Sequence, residues 1–149
     1  MKEIIVSDST CLIGLERINQ LELLPSLYYP IVIPPAVQEE FGRSFPWLRL
    51  DKPINKGLVT SLKLLVDRGE SEAIALAYER RYRLIVDDRQ ARKLAQQMGI
   101  QMIGTVGILV KAKRQGLIPN LSLVLDDLEA QGFYLSQALK AEALKLVEE

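Results

Sequence analysis

The chain has 149 residues with 19 basic and 19 acidic side chains, so its formal net charge is zero. With 48% hydrophobic and 26% charged residues, its composition is typical of a globular domain rather than of a disordered or fibrous chain. Histidine is absent, which excludes Ser-His-Asp and Cys-His catalysis and histidine-ligated zinc, and the balanced charge provides no global positive field for nucleic acid.

The sequence carries no signal for membrane insertion or secretion. No apolar run approaches the ~20 residues of a membrane span, and the N-terminus lacks the basic-then-apolar pattern of a signal peptide. The single cysteine, Cys11, cannot form an internal disulfide and lies in an apolar helical pattern typical of a buried side chain. We therefore expect a cytoplasmic protein with no membrane partner.

Short apolar runs typical of strands buried on both faces alternate with segments of helical period. In chain order the predicted strands are IIV (4–6), IVI (31–33), LIV (84–86) and MI (102–103). The apolar stripes of the predicted helices lie at 11–18, 58–66, 91–98, 108–112, 121–128 and 135–146. The segment 42–57, which is rich in proline and glycine, is predicted to be an irregular loop.

This alternation predicts right-handed βαβ crossovers and an α/β fold, a three-layer α/β/α sandwich with a central parallel sheet. No change in composition marks a domain boundary, so we expect a single domain over residues 1–149 with a helical C-terminal tail from about residue 121. In open sheets of this kind, ligands bind beyond the carboxyl ends of the strands.

Acidic residues from four separate segments are predicted to reach that edge of the sheet. They are Asp8 after the first strand, Glu39 and Glu40 in the next helix, Glu70 and Glu72 around a helix start, and Asp87 and Asp88 after the strand LIV. The last predicted strand is followed by Thr105, which is polar but neutral.

Each acid taken alone also has a structural interpretation. Asp8 and Asp88 immediately precede helices and could cap backbone N–H groups, which stabilises a helix by ~1 kcal/mol. The glutamates of GESEA would be favoured by a helix dipole, and those of VQEEF could form a solvated helical face.

The combination of acids favours a metal site. Carboxylates within ~5 Å of one another repel by several kcal/mol in a partly buried setting, so a cluster of them needs a cation. Oxygen ligands without histidine or thiolate suit Mg²⁺ or Mn²⁺. A carboxylate can cap a helix with one oxygen and bind a metal with the other, so the two interpretations are compatible.

Four segments, taken in order, carry a resemblance to a known family. They are IIVSDSTCLIGL, VIPPAVQEEF, GESEAIALAYERRYRLIVDDRQAR and MIGTVGILVKAKRQGLI. The first three place an acid after a hydrophobic strand, before a hydrophobic residue or at the opening of an alanine-rich helix. Together they resemble the PIN domain, and within it the short prokaryotic branch related to VapC-type toxins, up to about residue 120.

The resemblance implies a Mg²⁺- or Mn²⁺-dependent nuclease that hydrolyses RNA. It assigns the catalytic and metal-binding roles to Asp8, Glu40, Glu72 and Asp88. It also implies an endoribonuclease of a toxin–antitoxin system, with an antitoxin protein as partner and a homodimer as assembly. Glu72 stands where the toxins more often have Asp, and the paired acids leave the register open by one or two residues.

Two basic clusters could contact RNA phosphates, although solvated helix faces explain them as well. The first comprises 79–83 with Arg89, Arg92 and Lys93, and the second comprises Lys111, Lys113 and Arg114. The hydroxyl residues Ser9, Thr10 and Thr105 could orient carboxylates or cap helices.

Two other classes of function compete with the nuclease. A catalytically inactive PIN-like module that binds protein or nucleic acid is the alternative, and the neutral net charge favours it. A receiver-type signalling domain is disfavoured, because the first strand supplies only one acid and no lysine follows the strand MI.

Overall fold

Within residues 2–149, which the computed structural model describes, five short strands form one parallel sheet. They are β1 (Ile5–Ser7), β2 (Ile31–Ile33), β3 (Leu48–Leu50), β4 (Arg83–Ile85) and β5 (Met102–Ile103). Their order is β3-β2-β1-β4-β5, and every neighbouring pair is parallel. The first strand of the chain is therefore the middle of the sheet.

Nine helices in the same described residues connect the strands and extend beyond them. They are α1 (Ser9–Arg17), α2 (Leu23–Leu27), α3 (Pro35–Phe41), α4 (Lys56–Leu62), α5 (Arg68–Arg80), α6 (Arg89–Gln97), α7 (Thr105–Arg114), α8 (Leu121–Ala130) and α9 (Gln137–Leu146). None of the helices in residues 2–149 combines the length and the hydrophobicity that crossing a bilayer requires.

The strands send alternate side chains into two separate cores, because successive residues of a strand point to opposite faces of the sheet. Ile5 and Ile85 belong to a core shared with residues of α1, α2, α7 and α8. Val6 and Leu84 belong to a second core shared with α5 and α6. The predicted three-layer α/β/α sandwich with a central parallel sheet is confirmed.

One strand lies where the sequence predicted an irregular loop, so the prediction for 42–57 was wrong at Leu48–Leu50. This strand, β3, pairs with β2 at the edge of the sheet, with Leu48 opposite Ile31 and Leu50 opposite Ile33. An edge strand has a neighbouring strand on one side only, and Arg49 and Leu50 are exposed, so the sequence LRL lacks the continuous apolar run of a strand buried on both faces.

The last two helices pack onto the side of the sandwich formed by α1 and α7. Leu121, Leu125 and Leu128 of α8 are completely buried in the core of that side. The Glu149 carboxylate accepts hydrogen bonds from the first N–H groups of α8, those of Leu121 at 2.7 Å and Ser122 at 3.0 Å. The tail is thus attached at both of its ends.

We predict that the tail unfolds together with the sheet. Leu125→Ala should lower the free energy of unfolding by about 2–5 kcal/mol, because it removes a buried side chain and leaves a cavity. The control is Leu123→Ala on the exposed face of the same helix, for which we expect a change within about 0.5 kcal/mol. Urea denaturation followed by circular dichroism measures both. Equal, small effects would show that the tail unfolds separately.

Candidate functional site

Carboxylates from several elements lie near the carboxyl edge of the sheet. Asp8 follows β1 directly, and Asp87 and Asp88 follow β4 after one more residue, Val86. Because β1 and β4 are adjacent and parallel, their ends lie side by side. Asp8 is only 4% exposed, whereas Asp88 is exposed to solvent.

Both oxygens of Asp8 are held by backbone N–H groups. Oδ1 accepts a hydrogen bond from the N–H of Cys11 at 3.0 Å, which makes Asp8 the N-cap of α1. Oδ2 accepts one from the N–H of Asp87 at 3.1 Å. Asp8 therefore caps a helix and also joins the end of β1 to the end of β4.

The Asp8 carboxyl group is crowded by like charge. Burial raises its pKa to about 8, and the nearby charges of Asp87 and Glu70 contribute in the same direction. The two backbone hydrogen bonds favour the ionised form but do not offset these effects. A neighbouring cation would stabilise the ionised form of such a buried carboxyl group.

Asp87 is held from the side of α7. Its Oδ1 accepts from the N–H of Thr105 at 2.9 Å, and its Oδ2 accepts from the Thr105 hydroxyl at 2.5 Å. Burial raises the pKa of Asp87, while these hydrogen bonds and the charge of Arg92 act against the rise. Gly104 leaves room for this arrangement, since a Cβ there would lie 3.0 Å from Asp87 Oδ1.

Glu70 enters the same group of acids from the start of α5. Asp67 and Glu70 form a capping box, in which Asp67 Oδ1 accepts from the N–H of Glu70 at 2.7 Å and Glu70 Oε1 accepts from the N–H of Asp67 at 3.3 Å. Burial raises the pKa of Glu70 to about 7, followed by the charges of Asp67, Asp88 and Glu40. Glu70 therefore completes the capping box of α5 and also lies among the acids at the sheet edge.

Glu40 approaches Glu70 and its neighbours across the backbone of a glycine. Its Oε1 occupies the space that a Cβ at Gly69 would need, so a larger residue at that position would displace it. Glycine is here required for the close approach of Glu40 to the first turn of α5. Glu40 is exposed, and its charge acts on Glu70.

Glu72 points to a different place. Its Oε1 accepts from the N–H of Ala36 in the first turn of α3 at 3.0 Å, and its Oε2 pairs with Arg68 at 3.2 Å. Arg68 also pairs with Glu39, at 2.9 Å. Glu72 and Glu39 are thus joined through one arginine, and both oxygens of Glu72 have partners.

Asp88 caps the helix that follows it. Its Oδ2 accepts a hydrogen bond from the N–H of Ala91 at 2.9 Å, at the start of α6. Its charge acts on Glu70, which places it in the same acidic cluster as Asp8 and Asp87. We use the term acidic cluster for Asp8, Glu40, Asp67, Glu70, Asp87 and Asp88.

A cleft of about 1230 Å³ opens beside the acidic cluster. Asp67, Glu70, Asp87 and Asp88 line it on one side. Its other walls are largely apolar and come from α1, from β5 and α7, and from the tail. The basic cluster at 79–83 lies at the amino end of β4, opposite this edge, whereas Arg92 lines the cleft.

The comparison with protein families agrees with this architecture. A family model described as a PIN domain matches residues 4–149. The chain belongs to the PIN domain family. The match includes the tail, which extends it beyond the segment that carried the resemblance in the sequence. No curated protein matches the chain.

Family membership gives the chain a nuclease fold. PIN domains are typically nucleases that act on nucleic acids, and the family generally uses divalent metal ions. The acidic cluster fits such an ion in its donor chemistry, since all its side chains offer oxygen. Within residues 2–149, however, no three metal-ligating side chains converge closely enough to form a complete site.

The structure locates each residue of the predicted site. Asp8 and Asp88 lie in the acidic cluster at the sheet edge, and Glu40 approaches it over Gly69. Glu72 contacts the start of α3 instead, and Glu70 faces the cluster. The acidic pairs at 70/72 and 87/88 signalled Glu70 and Asp87, but periodicity could not decide between the members of a pair.

We predict that protein in a metal chelator loses stability as the pH rises from 5.5 to 8.5. In this window the folded protein keeps protons on Asp8 and Glu70, whereas the unfolded chain has released them near pH 4. Because the unfolded state then binds fewer protons than the folded state, the free energy of unfolding falls as the pH rises. Asp8→Asn should reduce the fall by at least about 1 kcal/mol, because one pKa unit corresponds to about 1.4 kcal/mol.

Chemical denaturation at several pH values measures this effect. The control is Asp127→Asn on the exposed face of α8, which should keep the wild-type dependence on pH. Identical pH slopes for the wild type and Asp8→Asn would contradict a raised pKa at Asp8.

Proposed function

We propose that this PIN domain is a Mg²⁺- or Mn²⁺-dependent nuclease that hydrolyses phosphodiester bonds of RNA. The observation that supports the proposal is the acidic cluster, four of whose members line one cleft. In this cluster the pKa values of Asp8 and Glu70 are raised to about 8 and 7. Such crowding is unfavourable for folding alone, and a bound cation would relieve it.

The cation would be held by Asp8, Asp87, Asp88 and Glu70, with Glu40 at the side of Glu70. This set keeps Asp8, Glu40 and Asp88 from the resemblance. It has Glu70 at the position that the resemblance gave to Glu72, because Glu72 is engaged by Ala36 and Arg68.

The protein's own groups orient the carboxylates. Backbone N–H groups of Cys11 and Asp87 hold Asp8, and the Thr105 N–H and hydroxyl hold Asp87, so neither acid has to be ordered when substrate binds. A bound Mg²⁺ or Mn²⁺ would supply activation of water and neutralisation of charge on the phosphate.

The biological setting belongs to the same proposal. The resemblance to VapC-type toxins supports an endoribonuclease of a toxin–antitoxin system, with an antitoxin protein as partner and a homodimer as the assembly. The paired helices α8 and α9 leave apolar side chains exposed, among them Leu123, Leu139 and Leu146, which a second copy could cover.

One observation favours a second candidate, a catalytically inactive module that binds protein or nucleic acid. In the part of the chain that the structure describes, no three acids form a complete metal site. In that case the carboxylates serve chiefly as helix caps and strand ties, as Asp8, Asp67 and Asp88 do.

We predict that Mn²⁺ raises the melting temperature of the wild type and supports cleavage of single-stranded RNA. A cation that binds only the folded state stabilises it by about 2.7 kcal/mol at 100 times its Kd. The gain should increase with pH from 6 to 8, since protons compete with the cation for the carboxylates.

Asp8→Asn provides the contrast for this measurement. The variant should lose both the Mn²⁺ response and the cleavage while it remains folded in chelator. A wild type that shows neither response at pH 8 would favour the inactive module. Differential scanning fluorimetry and gel analysis of a labelled RNA provide the two readouts.

We predict that Glu70→Gln and Glu72→Gln separate the two possible registers. Gln at position 70 can preserve the capping box, so the fold should remain stable. The rise in melting temperature with Mn²⁺ should become smaller, and the cleavage rate should fall at least about tenfold. Glu72→Gln keeps an acceptor for the Ala36 N–H and should retain both responses.

Glu72→Ala completes the set. It should destabilise the protein by about 0.5–2 kcal/mol with or without metal, because the N–H of Ala36 loses its acceptor. If Glu72→Gln loses the Mn²⁺ response and Glu70→Gln keeps it, Glu72 rather than Glu70 binds the metal.

A further inference from the structure

The cleft extends along one face of α1, away from the acids. Thr10, Ile13, Gly14 and Arg17 all line it, and their spacing is that of residues on a single helical face. From Ser9, beside Asp8, to Arg17 the helix rises about 12 Å. One end of this wall is therefore acidic, and the other end carries a guanidinium group.

Arg17 is exposed and has no salt-bridge partner among residues 2–149. Arg92, the other arginine of the cleft, donates to the carbonyl oxygen of Val86 at 2.8 Å and lies near Asp87. Among the described residues, Arg17 thus forms neither a side-chain hydrogen bond nor a salt bridge, whereas Arg92 is held by the carbonyl of Val86.

Another wall of the cleft is the connection between α8 and α9. Phe133 packs against Gly14, where a Cβ would lie 3.4 Å from the phenyl ring, and Leu135 is buried in the core. Tyr134 stands between these two anchors. Its side chain lines the cleft and is 84% exposed, although its neighbours on both sides are held by packing.

We propose that Tyr134 is a stacking platform for an unpaired base of the bound nucleic acid and that Arg17 contacts a phosphate of the same strand. This inference rests on the proposed function in taking a nucleic-acid strand as the occupant of the cleft. An exposed aromatic ring on an anchored backbone and a guanidinium without an anionic partner match the two repeating parts of a single strand, the base and the phosphate.

The placement explains how a chain with no net charge could bind RNA. The guanidinium of Arg17 lies about two helical turns from the carboxylates, so a phosphate bound to it would be kept away from their repulsion. Stacking is largely insensitive to charge and to sequence, so it could supply affinity where a basic surface is lacking.

The chain offers matched controls for both residues. Tyr78 and Arg81 are exposed and line a second cleft at the amino ends of the strands, away from the acidic cluster. Tyr78 is 51% exposed and, like Tyr134, projects from the surface. Tyr78→Ala and Arg81→Gln therefore remove the same chemical groups at the amino ends of the strands, away from the proposed binding cleft.

The test is the affinity for a fluorescent, unstructured ten-nucleotide RNA, measured by anisotropy with Ca²⁺ in place of Mn²⁺ and with the RNA verified to be intact. Tyr134→Ala should raise Kd by between about 5-fold and 100-fold, and Tyr134→Phe should stay within about twofold of the wild type. Tyr78→Ala should leave Kd unchanged.

Two further measurements identify the contacts. An abasic site at the position that stacks should weaken binding to the wild type but not weaken it further in Tyr134→Ala, because both changes remove one interaction. Arg17→Gln should reduce the slope of log Kd against log salt by roughly 0.7, the value for one phosphate contact of a single strand. Arg81→Gln should keep the wild-type slope.

The outcomes separate this inference from the proposed function. Equal Kd values for Tyr134→Ala and Tyr78→Ala, or no RNA binding by the wild type, would overturn the inference, whatever the Mn²⁺ assay shows. Binding that depends on Tyr134 without any Mn²⁺-dependent cleavage would support it and remove the nuclease proposal. If Tyr134→Ala changes only the oligomeric state in light scattering, this wall is a protein interface and the inference is wrong.

Discussion

The tie between Asp8 and the backbone of Asp87 is the interaction on which the acidic edge depends. One carboxylate, almost completely buried, accepts the N–H of Cys11 with one oxygen and the N–H of Asp87 with the other. These bonds align the exits of the two central strands and bring the carboxyl groups of Asp8 and Asp87 together. The hydrogen bonds that join the ends of β1 and β4 therefore also concentrate negative charge at this edge of the sheet.

The same logic recurs around the cluster. Asp67, Asp88 and Glu70 bind backbone N–H groups at the starts of α5 and α6, where the partial positive charge of a helix favours carboxylates. Helix ends hold the acids in position without any basic side chain in direct contact. Burial is the main cause of the raised pKa values of Asp8 and Glu70, and the charges of neighbouring acids add to it. At Asp87 the charge of Arg92 acts against the rise.

Much of the fold could be predicted from sequence, because its strongest signals are local. The apolar runs at 4–6, 31–33, 84–86 and 102–103 correspond to strands with shifts of one residue or less at each end. β3 gave no such signal, since an edge strand with the sequence LRL has no uniform hydrophobicity. The family model matches residues 4–149, so the similarity is not confined to any single motif.

The candidate site could be predicted only to the level of segments. The sequence indicated which turns would carry acids. Glu70 and Glu72, however, lie two positions apart on one helix, so their side chains point in different directions. Glu72 is held by the N–H of Ala36, a partner far along the chain, whereas Glu70 is held by its capping box with Asp67. The contribution of the tail to the cleft was equally hidden, because it depends on the missing Cβ of Gly14 and on the ring of Phe133.

The contact between Gly14 and Phe133 has a consequence for how this domain can diverge. The acids all come from the first 88 residues, whereas one wall of the cleft comes from residues 128–139 near the other end of the chain. Substitutions in the later segment can reshape that wall without moving any carboxylate. The acids and this wall of the cleft are thus encoded in separable stretches of sequence, and selection can alter one while it preserves the other.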